Sequence, residues 1–285
     1  MSVSHPQDLI GDDESIFSLP QIYFELQEAL EDPNTTYKEI GEIISFDPAL
    51  SARLLKIVNS AFYGFPSEIE TISHAISIIG RDQLADLALA TMVIYQFRGI
   101  PNSLFNMEKF WRHSMACGAA ARSIAEFRGE INIERYYLAG ILHDIGRLVI
   151  LKKEPALARD TFYRSKNKHE NIYQAERELM GFDHADVGGE LLKAWRLPPR
   201  LVEAVACHHQ PMSAKEFLLD AAIIHTSDYI VHALNLGSDA EFSEPQLHPK
   251  SWEIIGLNPD DFEFMRDKVK KQYEDIVSMF YGNKR

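Results

Sequence analysis

Polar residues able to bind a metal ion interrupt apolar segments of this 285-residue chain. The pair His143 and Asp144 stands inside the apolar run YYLAGILHDIGRLVIL. Burying a carboxylate is costly unless it is paired or bound to a cation. The pair therefore indicates either hydrogen bonds to other buried polar groups or a metal site, and the dipeptide alone leaves both interpretations open.

Further nitrogen and oxygen donors are spread over the second half of the chain. Taken singly, each is typical of a satisfied core residue or of a surface residue. Taken together, they are enough to bind two divalent ions, and helical bundles build metal sites from side chains on facing helices in this way. The seven candidate metal ligands are His113, His143, Asp144, His184, His208, His209 and Asp228.

The donor types predict the chemistry of such a site. Imidazole and carboxylate ligands suit two divalent ions, with Fe or Mn favoured and Zn, Ni or Mg as alternatives. Asp144 is the expected bridge, and two ions would lower the pKa of a bound water and bind phosphoryl oxygens. Asp144 and Arg147 are therefore the candidate catalytic residues. Arg147 stands about one turn after His143, where it would contact a phosphate or else be a solvated arginine at a helix end.

Two histidines and two cysteines leave alternatives open. His225 and His232 lie near Asp228 on one helix face, so they are structural residues, partners of the ligands or alternative ligands. Two cysteines cannot form a disulfide framework. Cys117 and Cys207 are therefore predicted to be reduced, buried thiols.

Apolar residues recur with helical spacing through nearly the whole chain, and no segment alternates like a half-buried strand. The predicted fold class is all-α, a multi-helix bundle with an N-terminal helical subdomain. We predict a long helix over 104–127 and one continuous buried helix over 135–151. The segment 152–170 is polar and weakly patterned, and Ser213 with Glu216 has the spacing of a capping box that opens the next helix.

The chain is expected to divide into four segments. Residues 1–17 form a tail, 18–100 the N-terminal helical part, 101–236 the core that carries the metal site, and 237–285 a C-terminal loop and helix. The joint between the two main parts is placed at the sequence GIPN that begins at Gly99, because Gly and Pro interrupt helices.

Charge and hydropathy exclude several classes of partner. Lys and Arg number 29 against 42 for Asp and Glu, which gives a net charge of −13. This balance argues against sequence-independent binding of nucleic acid and against docking on anionic lipid. No secretory signal or bilayer-spanning run is visible, so a cytoplasmic protein without a membrane partner is expected. A small phosphate-bearing ligand in one local cationic pocket stays compatible with the composition.

The order H…HD…H…HH…D resembles the HD superfamily of metal-dependent phosphohydrolases in its two-metal form. The segment HDIGRL is similar to the motif of the HD-GYP branch. In the first half, LPQIYFELQEALEDP, DPALSARLLKIVNSAFYG and ISHAISIIG resemble the HDOD family, a regulatory branch of that superfamily. This resemblance runs over about 18–211 and implies an HD-like helical fold and a role in signalling.

The chain departs from both branches. HDOD proteins usually lack some metal ligands, whereas this sequence retains the whole set. After His209 comes Gln-Pro-Met in place of a Gly-Tyr-Pro signature, and Arg147 replaces the lysine of HD-GYP proteins. The resemblance therefore does not imply hydrolysis of cyclic dinucleotides.

Two functions fit these features. The first is a signalling module with a retained dinuclear metal site, acting on an unknown signalling protein. The second is an active phosphohydrolase that acts on a nucleotide or another phosphoester. The first is preferred because the chain has an HDOD-like half, lacks the Gly-Tyr-Pro signature and shows no obvious basic cluster for substrate.

Overall fold

The computed structural model describes residues 5–11, 18–97, 106–237 and 246–281, apart from the side chains of 259, 260, 262 and 264. No strand occurs in these ranges, and the all-α class is confirmed. The first helices are α1 (Pro6–Ile10), α2 (Gln21–Glu31), α3 (Tyr37–Ser45), α4 (Pro48–Val58), α5 (Ile72–Ile79) and α6 (Arg81–Phe97).

The second half supplies the remaining helices. They are α7 (Met107–Arg128), α8 (Glu134–Leu142), α9 (Ile145–Lys153), α10 (Pro155–Lys168), α11 (Ile172–Met180), α12 (His184–Ala194), α13 (Pro199–Ala206), α14 (Leu218–Ala233), α15 (Pro249–Ile255) and α16 (Pro259–Tyr281). A 3₁₀ turn at Pro211–Ser213 lies between α13 and α14. None of the described helices combines the length and the apolar composition that crossing a bilayer requires.

The long helix α7 lies at the centre of the bundle, close to the predicted range 104–127. Asn106 begins it by accepting a hydrogen bond from the backbone N–H of Lys109 at 3.1 Å. Gly129 ends it with a φ of 75°, in the left-handed region that glycine adopts readily. Small buried residues such as Ala119 let α8, α14 and α16 pack closely against it.

One hydrophobic core extends through both halves of the molecule. Its buried side chains range from Leu9 in α1 to Phe280 in α16, and α6 of the first half packs on α8 of the second. The segment 1–17, predicted to be a tail, contains α1, which packs on α12. The joint expected at residues 99–102 lies outside the described residues, and the four-segment division stays a prediction.

The continuous helix predicted over 135–151 is wrong, because the chain turns at His143 and Asp144. Helix α8 packs on α7, whereas α9 packs on α12. Each contact is made through a glycine. A Cβ atom at Gly140 would lie 2.6 Å from the backbone nitrogen of Gly118, and one at Gly146 would overlap the carbonyl oxygen of His184. The turn lets each helix follow its own partner, and apolar periodicity alone does not show it.

The polar, weakly patterned segment 152–170 is largely helical, because α10 occupies most of it. Pro155 begins the helix at a position where proline is tolerated. Only a narrow stripe, including Leu157 and Thr161, faces the core. That stripe is too short to produce a strong hydrophobic pattern in the sequence.

The capping box predicted at Ser213 and Glu216 does not form, since α14 begins only at Leu218. The carboxylate of Glu203, on α13, takes this position instead. It accepts hydrogen bonds from the backbone N–H groups of residues 215–217, at 2.6 Å for Lys215. A tertiary contact therefore replaces the local motif.

Candidate metal centre

The seven side chains predicted as ligands meet in the interior of the second half. They come from α7, the turn between α8 and α9, the first residue of α12, the segment after α13, and α14. Most of them are fully buried. The structure thus brings together donors separated by more than a hundred positions in the sequence, and the contacts divide them into two halves.

The first half of this centre contains two histidines and a carboxylate. His113 Nε2 lies 3.1 Å from Asp228 Oδ1. His143 Nε2 lies 3.7 Å from the same oxygen and 3.5 Å from Asp144 Oδ2. These three residues and Asp144 therefore surround one point with nitrogen and oxygen atoms.

The second half contains three histidines on the other side of Asp144. Asp144 Oδ1 lies 3.0 Å from His184 Nε2 and 3.8 Å from His208 Nε2. His209 completes this half, with its Nε2 atom 2.8 Å from His184 Nε2. Asp144 thus has one oxygen toward each half, which is the position expected of a bridging ligand.

Hydrogen bonds fix the tautomers of two of these histidines. His143 Nδ1 donates to the carbonyl oxygen of Gly140 at 2.8 Å, and His208 Nδ1 donates to that of Val205 at 2.7 Å. In a neutral ring the proton is then on Nδ1, so Nε2 has a lone pair that points toward Asp144. Both Nε2 atoms are buried without a hydrogen-bond partner among the described residues. Such an arrangement of lone pairs fits a cation between them.

Glu176 orients His184, and sequence analysis did not identify it. Its Oε2 atom accepts hydrogen bonds from His184 Nδ1 at 2.6 Å and from the backbone N–H of His184 at 2.8 Å. Metal-binding histidines commonly have a carboxylate on the second ring nitrogen. Burial disfavours the imidazolium, but Glu176 outweighs it, with help from Asp144, and raises the pKa of His184 to about 10. A proton therefore occupies the metal-facing nitrogen when no ion is bound.

The two aspartates are ionised despite their burial. Burial raises the pKa of Asp144, but the guanidinium of Arg147 and the neighbouring histidines hold it well below its ordinary value. Burial likewise raises the pKa of Asp228, and His232 and His113 hold it well below. Both carboxylates are therefore available to bind cations.

Arg147 belongs to the same cluster. Its Nη1 atom lies 3.2 Å from Asp144 Oδ2, and its side chain is only 9% exposed. The alternative of a solvated arginine at a helix end does not match this position. Its contact with a phosphate stays a prediction.

Two more residues lie at the first half and were not predicted as ligands there. Cys117 Sγ is 3.5 Å from His113 Nε2 and 3.8 Å from Asp228 Oδ1. His232 Nε2 is 3.2 Å from Asp228 Oδ1. Each stands four residues after a predicted ligand on the same helix, and this spacing is the signal that could have found them.

The structure also shows the hydrogen bonds of His225 and the burial of the two cysteines. His225 Nδ1 donates to the carbonyl oxygen of His208 at 2.7 Å, and its Nε2 accepts from the backbone N–H of His248 at 2.9 Å. His225 is therefore a structural support for His208. Cys117 is buried as predicted, whereas Cys207 is only partly buried.

A pocket of about 380 Å³, open to solvent, reaches the centre. Only His209 and Asp228 of the seven candidate ligands line it, and the ring of His209 stacks on Tyr173 with centroids 4.2 Å apart. None of the described lining residues is a lysine or an arginine. The positive charge available to a ligand in this pocket would therefore come from the centre itself.

Comparisons with known proteins agree with the sequence resemblance. The family model of the HDOD domain matches residues 16–211. An uncharacterised protein of Treponema pallidum (strain Nichols) is 26% identical over 204 residues, which cover 71% of this chain. The match covers 39% of that protein, so the chain spans about two fifths of the length of this curated relative.

Solved structures share the fold over nearly the whole chain. A crystal structure of an HDOD domain protein of unknown function from Geobacter sulfurreducens has a TM-score of 0.79 at 22% identity and covers 97% of both chains. A protein of Shewanella amazonensis SB2B, provisionally named a phosphohydrolase, has a TM-score of 0.73 at 25% identity. That match covers 95% of this chain and 97% of the other. The similarity to HDOD proteins therefore extends beyond the residues that the family model matches.

Proposed function

Because the chain belongs to the HDOD family, we propose that it is a signalling module whose core is a dinuclear metal centre. One observation carries this proposal. The Nε2 atoms of His143 and His208 are buried beside Asp144 and have no hydrogen-bond partner among the described residues. Divalent cations at this point would pair all of these atoms.

The charge balance supports the same conclusion. Three buried or nearly buried carboxylates, those of Asp144, Glu176 and Asp228, lie at the centre. Against these three charges Arg147 supplies one guanidinium, and His184, whose pKa is raised to about 10, supplies one imidazolium. Buried negative charge is stable only when it is compensated, so bound cations complete the balance.

The donors divide between two ions. His113, His143 and Asp228 would hold the first ion, and Asp144 would contact both. The second ion would be held by three imidazoles, those of His184, His208 and His209. Nitrogen and oxygen ligands favour Fe or Mn, with Zn, Ni or Mg as alternatives.

The surroundings of the centre favour a regulatory role. The open pocket offers no arginine or lysine among its described lining residues to bind a phosphate. Arg147 contacts Asp144 and lines a different cavity, formed with α10 and α11. In this proposal the ions join five segments of the bundle into one rigid unit, and the partner is a separate signalling protein.

A second candidate function is an active metal-dependent phosphohydrolase. The observation that favours it is the complete set of donors around Asp144. Two bound ions would activate water and stabilise the charge that develops on a phosphoryl group. Asp144 would position the ions, and Arg147 would have to exchange its contact with Asp144 for one with a phosphoester or nucleotide.

The test compares metal content and turnover in three proteins. We would measure Fe, Mn, Zn and Ni by elemental analysis and assay bis(p-nitrophenyl) phosphate with added Mn²⁺. The proteins are the wild type, Asp144→Asn and Asp86→Asn. Asp86 is a matched control, because its partly buried carboxylate bonds to Asn132.

We expect two ions per chain in the wild type and in Asp86→Asn, fewer in Asp144→Asn, and turnover in none of them. Turnover that Asp144→Asn abolishes and Asp86→Asn retains would establish the second function instead. A wild type that binds no metal, even after reconstitution without oxygen, would overturn both functions.

A further inference from the structure

Cys117 brings a sulfur atom to the first half of the centre. It lies on α7, one turn after His113, and is fully buried. One donor atom each from His113, Cys117, His143 and Asp228 fits within a mutual distance of 4.8 Å. The group therefore has the size of a four-ligand metal site.

We propose that Cys117 binds the ion of this half as a thiolate. Besides the bridging Asp144, the first half of the centre then has two imidazoles, one thiolate and the carboxylate of Asp228, and it selects a thiophilic divalent ion such as Zn²⁺. The second half has no sulfur among its candidate ligands, and its imidazoles and the carboxylate of Asp144 also accept Mn²⁺ or Fe²⁺. This inference rests on the dinuclear centre proposed above and specifies the ligand chemistry of one half.

The distances between the donors match a tetrahedral site. With zinc–sulfur and zinc–nitrogen bonds of about 2.3 and 2.05 Å, neighbouring sulfur and nitrogen ligands lie about 3.5 Å apart. Cys117 Sγ and His113 Nε2 are 3.5 Å apart. Nitrogen and oxygen ligands of such a site lie about 3.3 Å apart. The two imidazole nitrogens are 3.1 and 3.7 Å from Asp228 Oδ1.

A second observation points to an ion at the same place. His143 Nε2 is buried, carries a lone pair and has no hydrogen-bond partner among the described residues. As a neutral thiol, Cys117 lies 3.5 Å from His113 Nε2 and 3.8 Å from Asp228 Oδ1. It leaves the lone pair of His143 unpaired, whereas an ion bound by the thiolate satisfies His143, Cys117 and Asp228 together.

The ligand types then determine which ions bind. A thiolate selects Zn²⁺ and other soft ions, whereas imidazole and carboxylate also accept Mn²⁺ and Fe²⁺. A buried thiolate forms only with a cation beside it, because burial otherwise favours the neutral thiol. Binding of the thiophilic ion should therefore depend on Cys117, and binding of the second ion should not.

The experiment uses Co²⁺ as a spectroscopic probe in the metal-free full chain under reducing conditions. We would compare the wild type, Cys117→Ser and Cys207→Ser. Cys207 is the matched control, because it stands at the end of α13 and belongs to none of the donor groups. Elemental analysis gives the amount of bound cobalt in each protein.

We expect a sulfur-to-cobalt charge-transfer band in the near ultraviolet for the wild type and Cys207→Ser, and no band for Cys117→Ser. Zinc affinity should fall by about tenfold or more in Cys117→Ser, with little change in Mn²⁺ affinity. X-ray absorption of the zinc-loaded wild type should show one sulfur neighbour at about 2.3 Å, and this measurement needs no variant.

The outcomes separate this inference from the proposed function. Bound cobalt without the band, or bound zinc without a sulfur neighbour, would show that Cys117 is only a hydrogen-bond donor to Asp228, and the metal centre would stand. Failure of the wild type to bind any probe ion would contradict the proposed metal centre, and therefore also the proposed thiolate ligand.

Discussion

Two buried polar clusters in this molecule balance their charges in different ways. In the first, Arg122 Nε donates to Glu134 Oε1 at 2.8 Å, and the guanidinium also lies 4.5 Å from the ring centroid of Phe62. One buried positive charge meets one buried negative charge, and the other nearby carboxylate, that of Glu126, is half exposed. The first cluster is therefore neutral without any group from outside the chain.

The candidate metal centre has no such balance. Three carboxylates lie beside imidazole lone pairs, and Arg147 provides one guanidinium. The comparison teaches that burial alone does not identify a binding site. A cation-binding site is instead indicated by an excess of buried negative charge and acceptor atoms, because a folded chain does not keep uncompensated charge in its interior.

The largest change in stability is expected at the cluster of Arg122 and Glu134. Arg122→Met leaves Glu134 buried without its cation and should lower the free energy of unfolding by about 3–5 kcal/mol. Denaturant titration with and without a chelator measures it, and Arg159→Met, at an exposed arginine, is the control. The loss should be the same under both conditions. A loss that depends on the chelator would mean that the two clusters are not independent.

Removal of metal should lower the free energy of unfolding only in proteins whose metal centre is intact. At a free metal concentration one hundred times the Kd, a bound ion adds about 2.7 kcal/mol to the free energy of unfolding. A chelator should remove this contribution from the wild type, and Asp144→Asn should show no such difference. Thermal or denaturant unfolding with and without metal tests it. Equal destabilisation of the metal-free and metal-loaded protein by Asp144→Asn would contradict the bound ions.

A smaller effect is expected at the residue that orients His184. Glu176→Gln weakens the hydrogen bond to His184 Nδ1 and should lower metal affinity by about 10- to 100-fold. Calorimetric titration with Mn²⁺ or Zn²⁺ measures the change. Glu178→Gln on the same helix is the control, since that side chain is 57% exposed. Similar affinity in both variants would show that Glu176 supports the fold rather than the ligand.

The smallest effect is expected at Glu203, whose carboxylate accepts hydrogen bonds from backbone N–H groups. Burial raises the pKa of its carboxyl, but the backbone N–H groups of residues 215–217 lower it below the ordinary value. Its stabilisation is therefore present above the pKa of the unfolded chain and is lost as pH falls through the lower folded pKa. Glu203→Gln should cost about 1 kcal/mol at neutral pH.

Urea titration at several pH values checks this last prediction. The difference between the wild type and Glu203→Gln should shrink as the pH falls through the folded pKa of Glu203, with or without metal. A difference that stays constant over that range would mean that the charge of Glu203 contributes nothing.

The sequence allowed the candidate ligands to be selected because they are anomalous where they stand, and that they bind metal stays a prediction. His143 and Asp144 interrupt an apolar run, and Asp228 lies in another. Such residues need partners, and the long helix that carries His113 could be read from its periodicity. The all-α class followed from the same periodicity.

The sequence did not reveal what depends on contacts between distant helices. The turn at Asp144 reflects different packing partners for α8 and α9, and no local pattern encodes that difference. Glu176 and Glu203 look like ordinary helical glutamates until their acceptor atoms are seen beside His184 and the start of α14. Cys117 was read as an ordinary thiol because its spacing from His113 was not used.

The glycines on either side of the turn bear on the size of ion that the centre accepts. At Gly140 the backbone of α8 touches that of α7, and at Gly146 the backbone of α9 touches that of α12. Main-chain contact is the closest approach two helices can make, so the separation of the donors they carry is at its lower limit. A methyl group at either position would push the helices apart and separate the donors that they carry. In the proposed centre, the fit of an ion would therefore depend partly on residues that bind no ion.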